Sequence, residues 1–96
     1  MEAEPGEVMA RFNRDLFNNA NLHQVCLGSM AIIDRIQSEP PHVQMASMAA
    51  TFLMLCDHWK VKPQEAFTAV TNMMNHAEGR RVEFDAVASY IAEELR

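Results

Sequence analysis

Four side chains in this sequence have the chemistry of soft metal ligands. His23 and Cys26 are three residues apart, a spacing that places them on one face of a helix, and Cys56 and His58 follow later in the chain. Two helices could together present two thiolates and two imidazoles to zinc. Because Cys56 and His58 are only two residues apart, they point in different directions on a helix, and buried thiols with surface imidazoles are the competing interpretation. A metal-binding bundle is therefore an alternative hypothesis, with no residue assigned as a metal ligand.

Arginines form the second group of candidate binding residues. Arg80 and Arg81 directly follow Gly79, and paired guanidinium groups suit the recognition of phosphate or carboxylate. Together with Arg11 and Arg14 they define an alternative function, a helical bundle that binds or sequesters a small anionic ligand. The competing interpretation is that the arginines at this junction lie in a solvent-exposed loop and pair with nearby glutamates.

The sequence contains little that points to catalysis. Asp57 and His58 are adjacent, but no nucleophile accompanies them at a recognisable spacing. No glycine-rich phosphate loop, paired-carboxylate motif or metalloprotease motif is present. We therefore predict no catalytic residue, no cofactor and no enzymatic activity.

Composition limits the class of protein. The 96 residues are 49% hydrophobic with a net charge of −5, which predicts one globular domain over residues 1–96. The acidic balance argues against binding to nucleic acid, which needs a concentrated basic face. The uncharged stretch Met45–Cys56 is shorter than the roughly 20 apolar residues of a membrane-spanning helix, so no membrane partner is predicted.

The expected location is the cytoplasm. Cys26 and Cys56 lie within apolar helical patterns, where thiols pack as reduced, buried groups without a disulfide. The beginning of the sequence, "MEAEPGEVMA", is acidic and lacks the basic-then-apolar pattern of a signal peptide.

Apolar residues recur at helical spacing along the whole chain, which predicts an all-α, compact bundle of four to five short helices without paired strands. A break is expected at "NNAN", with Asn21 as the cap of the second helix. Gly79 is the expected C-terminal cap of the fourth helix, whose apolar face extends to Ala77. The start of the last helix is left open between Val82 and a cap at Asp85. The five predicted helices span residues 5–17, 22–37, 41–59, 63 to about 77, and 82–95.

The helix over residues 41–59 is apolar in almost every direction, which predicts that it forms the centre of the bundle, with helices 2, 4 and 5 covering about two of its sides. We expect Phe52 and Leu55 to be core residues on which alanine substitution costs about 2–5 kcal/mol. The remaining apolar side needs the first helix or a second subunit.

With catalysis, nucleic-acid binding and membrane insertion disfavoured, we predict a small, non-enzymatic helical interaction protein. Its expected partner is another protein, not identified by the sequence, which it binds through a helix face. Its size and acidity are typical of regulators and inhibitors encoded by phages and mobile elements. A homodimer is expected because a closed two-fold pairing commonly buries excess apolar surface. The first helix either docks on or swaps with the second copy, or folds back on its own bundle. The predicted interaction face comprises Phe12, Leu16, Phe17, Met45, Met48 and Trp59.

Overall fold

The computed structural model of the chain describes residues 12–95 and shows a small all-α bundle. The five helices within this range confirm the predicted fold class. They are α1 (Arg14–Asn18), α2 (Leu22–Ile36), α3 (Pro41–Trp59), α4 (Pro63–Met74) and α5 (Val82–Glu94).

Helix starts are set by residues that suit their positions. The Oδ1 atom of Asn21 accepts a hydrogen bond from the backbone N–H of Gln24 at 3.0 Å, which confirms Asn21 as the cap of α2. Pro41 and Pro63 each occupy the first turn of a helix, where the missing N–H has no intrahelical partner to lose. The last helix begins at Val82, so the alternative start with Asp85 as the cap is wrong.

The first predicted helix differs from the structure. Asn13 is extended, with φ −111° and ψ 109°, and its Oδ1 atom accepts a hydrogen bond from the N–H of Leu16 at 2.9 Å. An asparagine in this conformation begins a helix rather than continuing one. The prediction of a helix that runs unbroken through residues 12 and 13 is therefore wrong, and its portion over residues 5–11 lies outside the described residues.

A short hairpin replaces the predicted end of the fourth helix. The helix ends at Met74, and β1 (Asn75–His76) pairs antiparallel with β2 (Gly79–Arg80), His76 facing Gly79. Gly79 has φ 132°, a conformation that side chains rarely adopt. Gly79 therefore lies in a hairpin and does not cap a helix. The prediction that the fourth helix extends to Ala77 and the prediction that the fold contains no strand pairing are both wrong.

Two groups of buried side chains hold the described residues together. The α2–α5 core contains the buried residues Cys26, Met73, Phe84 and Val87. The aromatic cluster contains the buried residues Cys56, Val61 and Ala66, with the partly buried rings Phe12, Phe17, Phe52 and Trp59 packed against them. Both cysteines are free and buried, as predicted.

The main correction concerns α3. It does not form the centre of the bundle: α2 packs along α5, and α3 contacts α4 near the turn that joins them. Among the residues of α3, all of them described, only Cys56 is buried, and Leu55 is 52% exposed. The prediction that Leu55 is a core residue is wrong for the single chain because the residue remains exposed even though Phe12 and Phe17 line the same cavity.

Candidate functional site

The apolar residues of α3 that lie on one side of the helix form its most distinctive surface. Alternating spacings of three and four residues place them along one side, which is the pattern of helices that pack side by side. We call this set the α3 seam: Met45, Met48, Phe52, Leu55 and Trp59.

Among residues 12–95, the side chains that pack on the α3 seam cover its C-terminal part. The ring of Phe52 stacks on Phe67 of α4 with centroids 4.8 Å apart, and Trp59 lies 6.5 Å from the ring of Phe12. Met45 is 72% exposed, and Met48 and Leu55 are also exposed. Since Phe67 is exposed as well, the uncovered surface continues from α3 onto α4.

Residues in and next to α1 pack against the C-terminal end of the α3 seam. Phe12 and Phe17 contact each other edge to face at 5.2 Å, and both pack against the aromatic cluster. Together with Leu55 and Trp59 they line a cavity of about 190 Å³. Among the described residues that line it, none is charged, so this cavity suits an apolar side chain.

An ion pair joins α1 to the first turn of α4. Arg14 Nε donates to Glu65 Oε2 at 2.6 Å, and Arg14 Nη2 donates to the carbonyl oxygen of Lys60 at 3.2 Å. The hydrogen bond from Arg14 holds the pKa of Glu65 below its usual value, and the same contact raises the pKa of Arg14. The described part of the first segment therefore folds back on its own chain, one of the two arrangements left open by the sequence.

The residues of the predicted interaction face differ in their exposure. Phe12, Phe17 and Trp59 are partly buried in the aromatic cluster, whereas Leu16, Met45 and Met48 are exposed. Leu53, Met54 and Leu55 are exposed apolar residues that the prediction omitted. The sequence prediction assigns Leu55 to the core and does not single out Leu53 or Met54, because an apolar pattern on almost every side of α3 does not say which residues remain uncovered.

The three predicted ligand-binding arginines that the structure describes, Arg14, Arg80 and Arg81, are not brought together in one pocket. Arg14 is paired with Glu65, and Arg80 Nε donates to Asp85 Oδ1 at 2.8 Å. Arg81 instead lines a separate cavity, and its Nε atom is buried without a hydrogen-bond partner among the described residues. Arg11 lies outside the described residues.

The structure does not assemble the hypothetical zinc ligands. Cys26 is part of the α2–α5 core and Cys56 is part of the aromatic cluster. Burial raises the pKa of the Cys26 thiol, which disfavours the thiolate that metals bind. Within residues 12–95, no three potential ligands of the His, Cys, Asp or Glu type converge.

The class that these observations define is a small all-α bundle with an uncovered apolar helix face. No helix in the described part of the chain has both the length and the apolar content to cross a bilayer. In comparisons with known proteins, no protein family, no curated protein and no solved structure matches the chain.

Proposed function

We propose that the chain is a non-enzymatic helical interaction protein, and that its α3 seam binds a second copy of the same chain. The observation that carries the proposal is the exposure of Met45, Met48 and Leu55 along one side of α3. Single exposed apolar residues are ordinary on protein surfaces, but a continuous apolar stripe is typical of an interaction site.

The charge pattern of α3 favours an identical helix as the occupant. No charged residue occurs between Pro41 and Cys56, so the seam offers nothing to a charged partner. Two copies of α3 can approach without like-charge repulsion, although each chain carries a net charge of −5. The acidic residues of α5, Glu83, Asp85, Glu93 and Glu94, lie on a different helix.

The spacing of the seam supports the same choice. Side chains spaced alternately three and four residues apart insert between the side chains of a facing helix that has the same pattern. A second copy supplies the same pattern. In a closed, two-fold arrangement, the side chains of each seam insert between those of the other. No described side chain is completely buried within the single chain, so the added burial would contribute substantially to a small core.

The test compares two methionines of the same helix. Met45 and Met54 are 72% and 73% exposed, but they are nine residues apart, which places them about 180° apart around the helix axis. We expect light scattering coupled to size exclusion to give the wild type twice the 10.9 kDa mass of the chain. Met45→Glu should reduce the mass to that of one chain because the interface would bury an unpaired carboxylate. Met54→Glu should leave the dimer intact.

Two results would overturn the proposal. One is a wild-type mass of 10.9 kDa that persists at the highest soluble concentration. The other is equal dissociation by Met45→Glu and Met54→Glu, which would show that the seam is not the contact surface. Circular dichroism of both variants establishes that each remains helical.

A further inference from the structure

A second cavity lies away from the α3 seam, between the α1–α2 junction and the start of α5. It has a volume of about 430 Å³, within the range of about 300–1,000 Å³ that is typical of small-molecule sites. Asn18, Asn19 and Leu22 form one wall, and Asn72 of α4 lies on another. Arg81 completes the lining at the beginning of α5.

Arg81 is held in place by its backbone. Its N–H donates to the carbonyl oxygen of Met74 at 2.8 Å, and its own carbonyl oxygen accepts the N–H of Phe84 at 3.0 Å. These contacts fix the residue between the hairpin and α5. The neighbouring Arg80 is paired with Asp85 on the outside of the same junction.

Arg81 is the cationic residue among those that line the cavity. Its Nε atom is buried without a hydrogen-bond partner among the described residues. Because this atom has almost no accessible surface, a ligand in the cavity can contact Arg81 only through the part of the side chain that remains accessible, and no described acceptor pairs with the Nε atom to offset the charge of the guanidinium. A carboxylate or phosphate oxygen is the acceptor that a guanidinium recognises best.

The rest of the lining defines the remainder of the ligand. Three asparagines contribute carboxamides, and Asn19 Nδ2 donates to the carbonyl oxygen of Asp15 at 2.9 Å, which orients that side chain. Leu22 and Met73 contribute apolar surface. Among the described residues that line the cavity there is no carboxylate to repel an anion.

We propose that this cavity binds a small organic anion, a carboxylate or phosphate monoester with a short apolar body, through the guanidinium of Arg81. The anionic group contacts the accessible part of the guanidinium, the asparagine carboxamides hydrogen-bond its remaining oxygens, and the apolar body lies against Leu22 and Met73. This site is independent of the α3 seam and of the oligomeric state proposed above.

The experiment is a titration followed by nuclear magnetic resonance, which observes the Nε–H of Arg81 and the carboxamide N–H groups directly. The probes are butyrate and ethyl phosphate, with uncharged butyramide as the matched control. We expect saturable shifts of the Arg81 Nε–H and Asn72 signals with at least one of the two anions and none with butyramide.

Two arginine variants then separate local recognition from general charge. Arg81→Gln should weaken binding about ten- to a hundred-fold, as expected for the loss of a hydrogen bond from a charged group. Arg80→Gln removes the same charge one residue away and should change the dissociation constant less than about two-fold. Asn72→Ala should weaken binding without changing the charge.

The proposal is overturned if neither anion shifts the Arg81 Nε–H signal. It is also overturned if butyramide binds as well as butyrate, or if Arg80→Gln and Arg81→Gln weaken binding equally. Retention of the wild-type helical circular dichroism by Arg81→Gln shows that the comparison is made between folded proteins.

Discussion

The hydroxyl of Tyr90 on α5 donates a hydrogen bond to the Oδ1 atom of Asp34 on α2. This contact joins the two helices at residues 56 positions apart in sequence. It adds a polar link to the α2–α5 core, which is otherwise held by buried apolar side chains such as Phe84 and Val87.

The Tyr90–Asp34 hydrogen bond predicts a loss of stability at alkaline pH. Donation to Asp34 raises the pKa of Tyr90 to about 12 from an ordinary value of 10.0. The folded protein therefore holds the phenol proton more tightly than the unfolded chain does. The stabilisation is complete below pH 10.0 and is lost as the pH rises towards 12.

Because the chain has a single tyrosine, phenolate absorbance reports Tyr90 alone. We expect a titration midpoint near 12 in the folded wild type. In Asp34→Asn the midpoint should fall towards the ordinary value because the acceptor has lost its charge. An identical midpoint in both proteins would contradict the assignment of Asp34 as the cause.

The Arg14–Glu65 ion pair predicts that acid loosens α1. The pKa of Glu65 is lowered, mainly by the hydrogen bond from Arg14, so the stabilisation is present above the ordinary carboxyl pKa. It is lost as the pH falls through the lowered value in the folded protein. Since Trp59 is the single tryptophan and lies beside Phe12, its fluorescence follows this end of the molecule.

Glu65→Gln should shift the Trp59 emission to longer wavelength, because water reaches the indole when α1 is less firmly held. Asp85→Asn is the matched control, since it removes the carboxylate of the other ion pair, Arg80–Asp85, at a distant position. A red shift of equal size in Asp85→Asn would show that the effect is not local to α1.

Two valines of α5 test the position of the α2–α5 core. Val87 is 7% exposed and Val82 is 74% exposed. Val87→Ala should lower the free energy of unfolding by about 1.5–3 kcal/mol, through lost burial and the cavity that remains. Val82→Ala should change it by no more than about 0.5 kcal/mol. Urea denaturation measures both, and equal effects would contradict the packing of α5 against α2.

Two glycines should respond to alanine in opposite directions. Gly28 lies within α2 with open space around it, so Gly28→Ala should stabilise the protein by about 0.5–1 kcal/mol through helix propensity. Gly79 also has open space around it but has φ 132°, so Gly79→Ala should destabilise it by about 1–3 kcal/mol through backbone strain. Thermal unfolding of the two variants decides, and stabilisation by Gly79→Ala would show that the hairpin does not require this conformation.

Local sequence signals predicted helix positions well. The bounds of α3 agree with the prediction at both ends, Pro41 and Trp59, and the α2 cap at Asn21 is confirmed. These features depend on residues that are neighbours in sequence. The hairpin at Asn75–Arg80 was missed because an apolar residue at position 77 continues the helical pattern, while the conformation of Gly79 has no helical equivalent.

The packing of the helices could not be predicted in the same way. The apolar pattern of α3 indicates that its residues avoid water, but it does not say whether their cover comes from the same chain. Leu55 and Cys56 are adjacent and both apolar, yet only Cys56 is buried. The cavity lined by Arg81 could not be predicted from the sequence either, because it brings together Asn18 and Asn72 from separate helices.

The division of the interior into two groups has a consequence for how the molecule opens. The α2–α5 core and the aromatic cluster have no buried residue in common among the described residues, and α4 supplies Met73 to one and Ala66 to the other. Regions that share few buried contacts exchange their amide hydrogens as separate cooperative units. We therefore expect the amides of α3 to exchange before those of α2 and α5, as two cooperative units joined by α4.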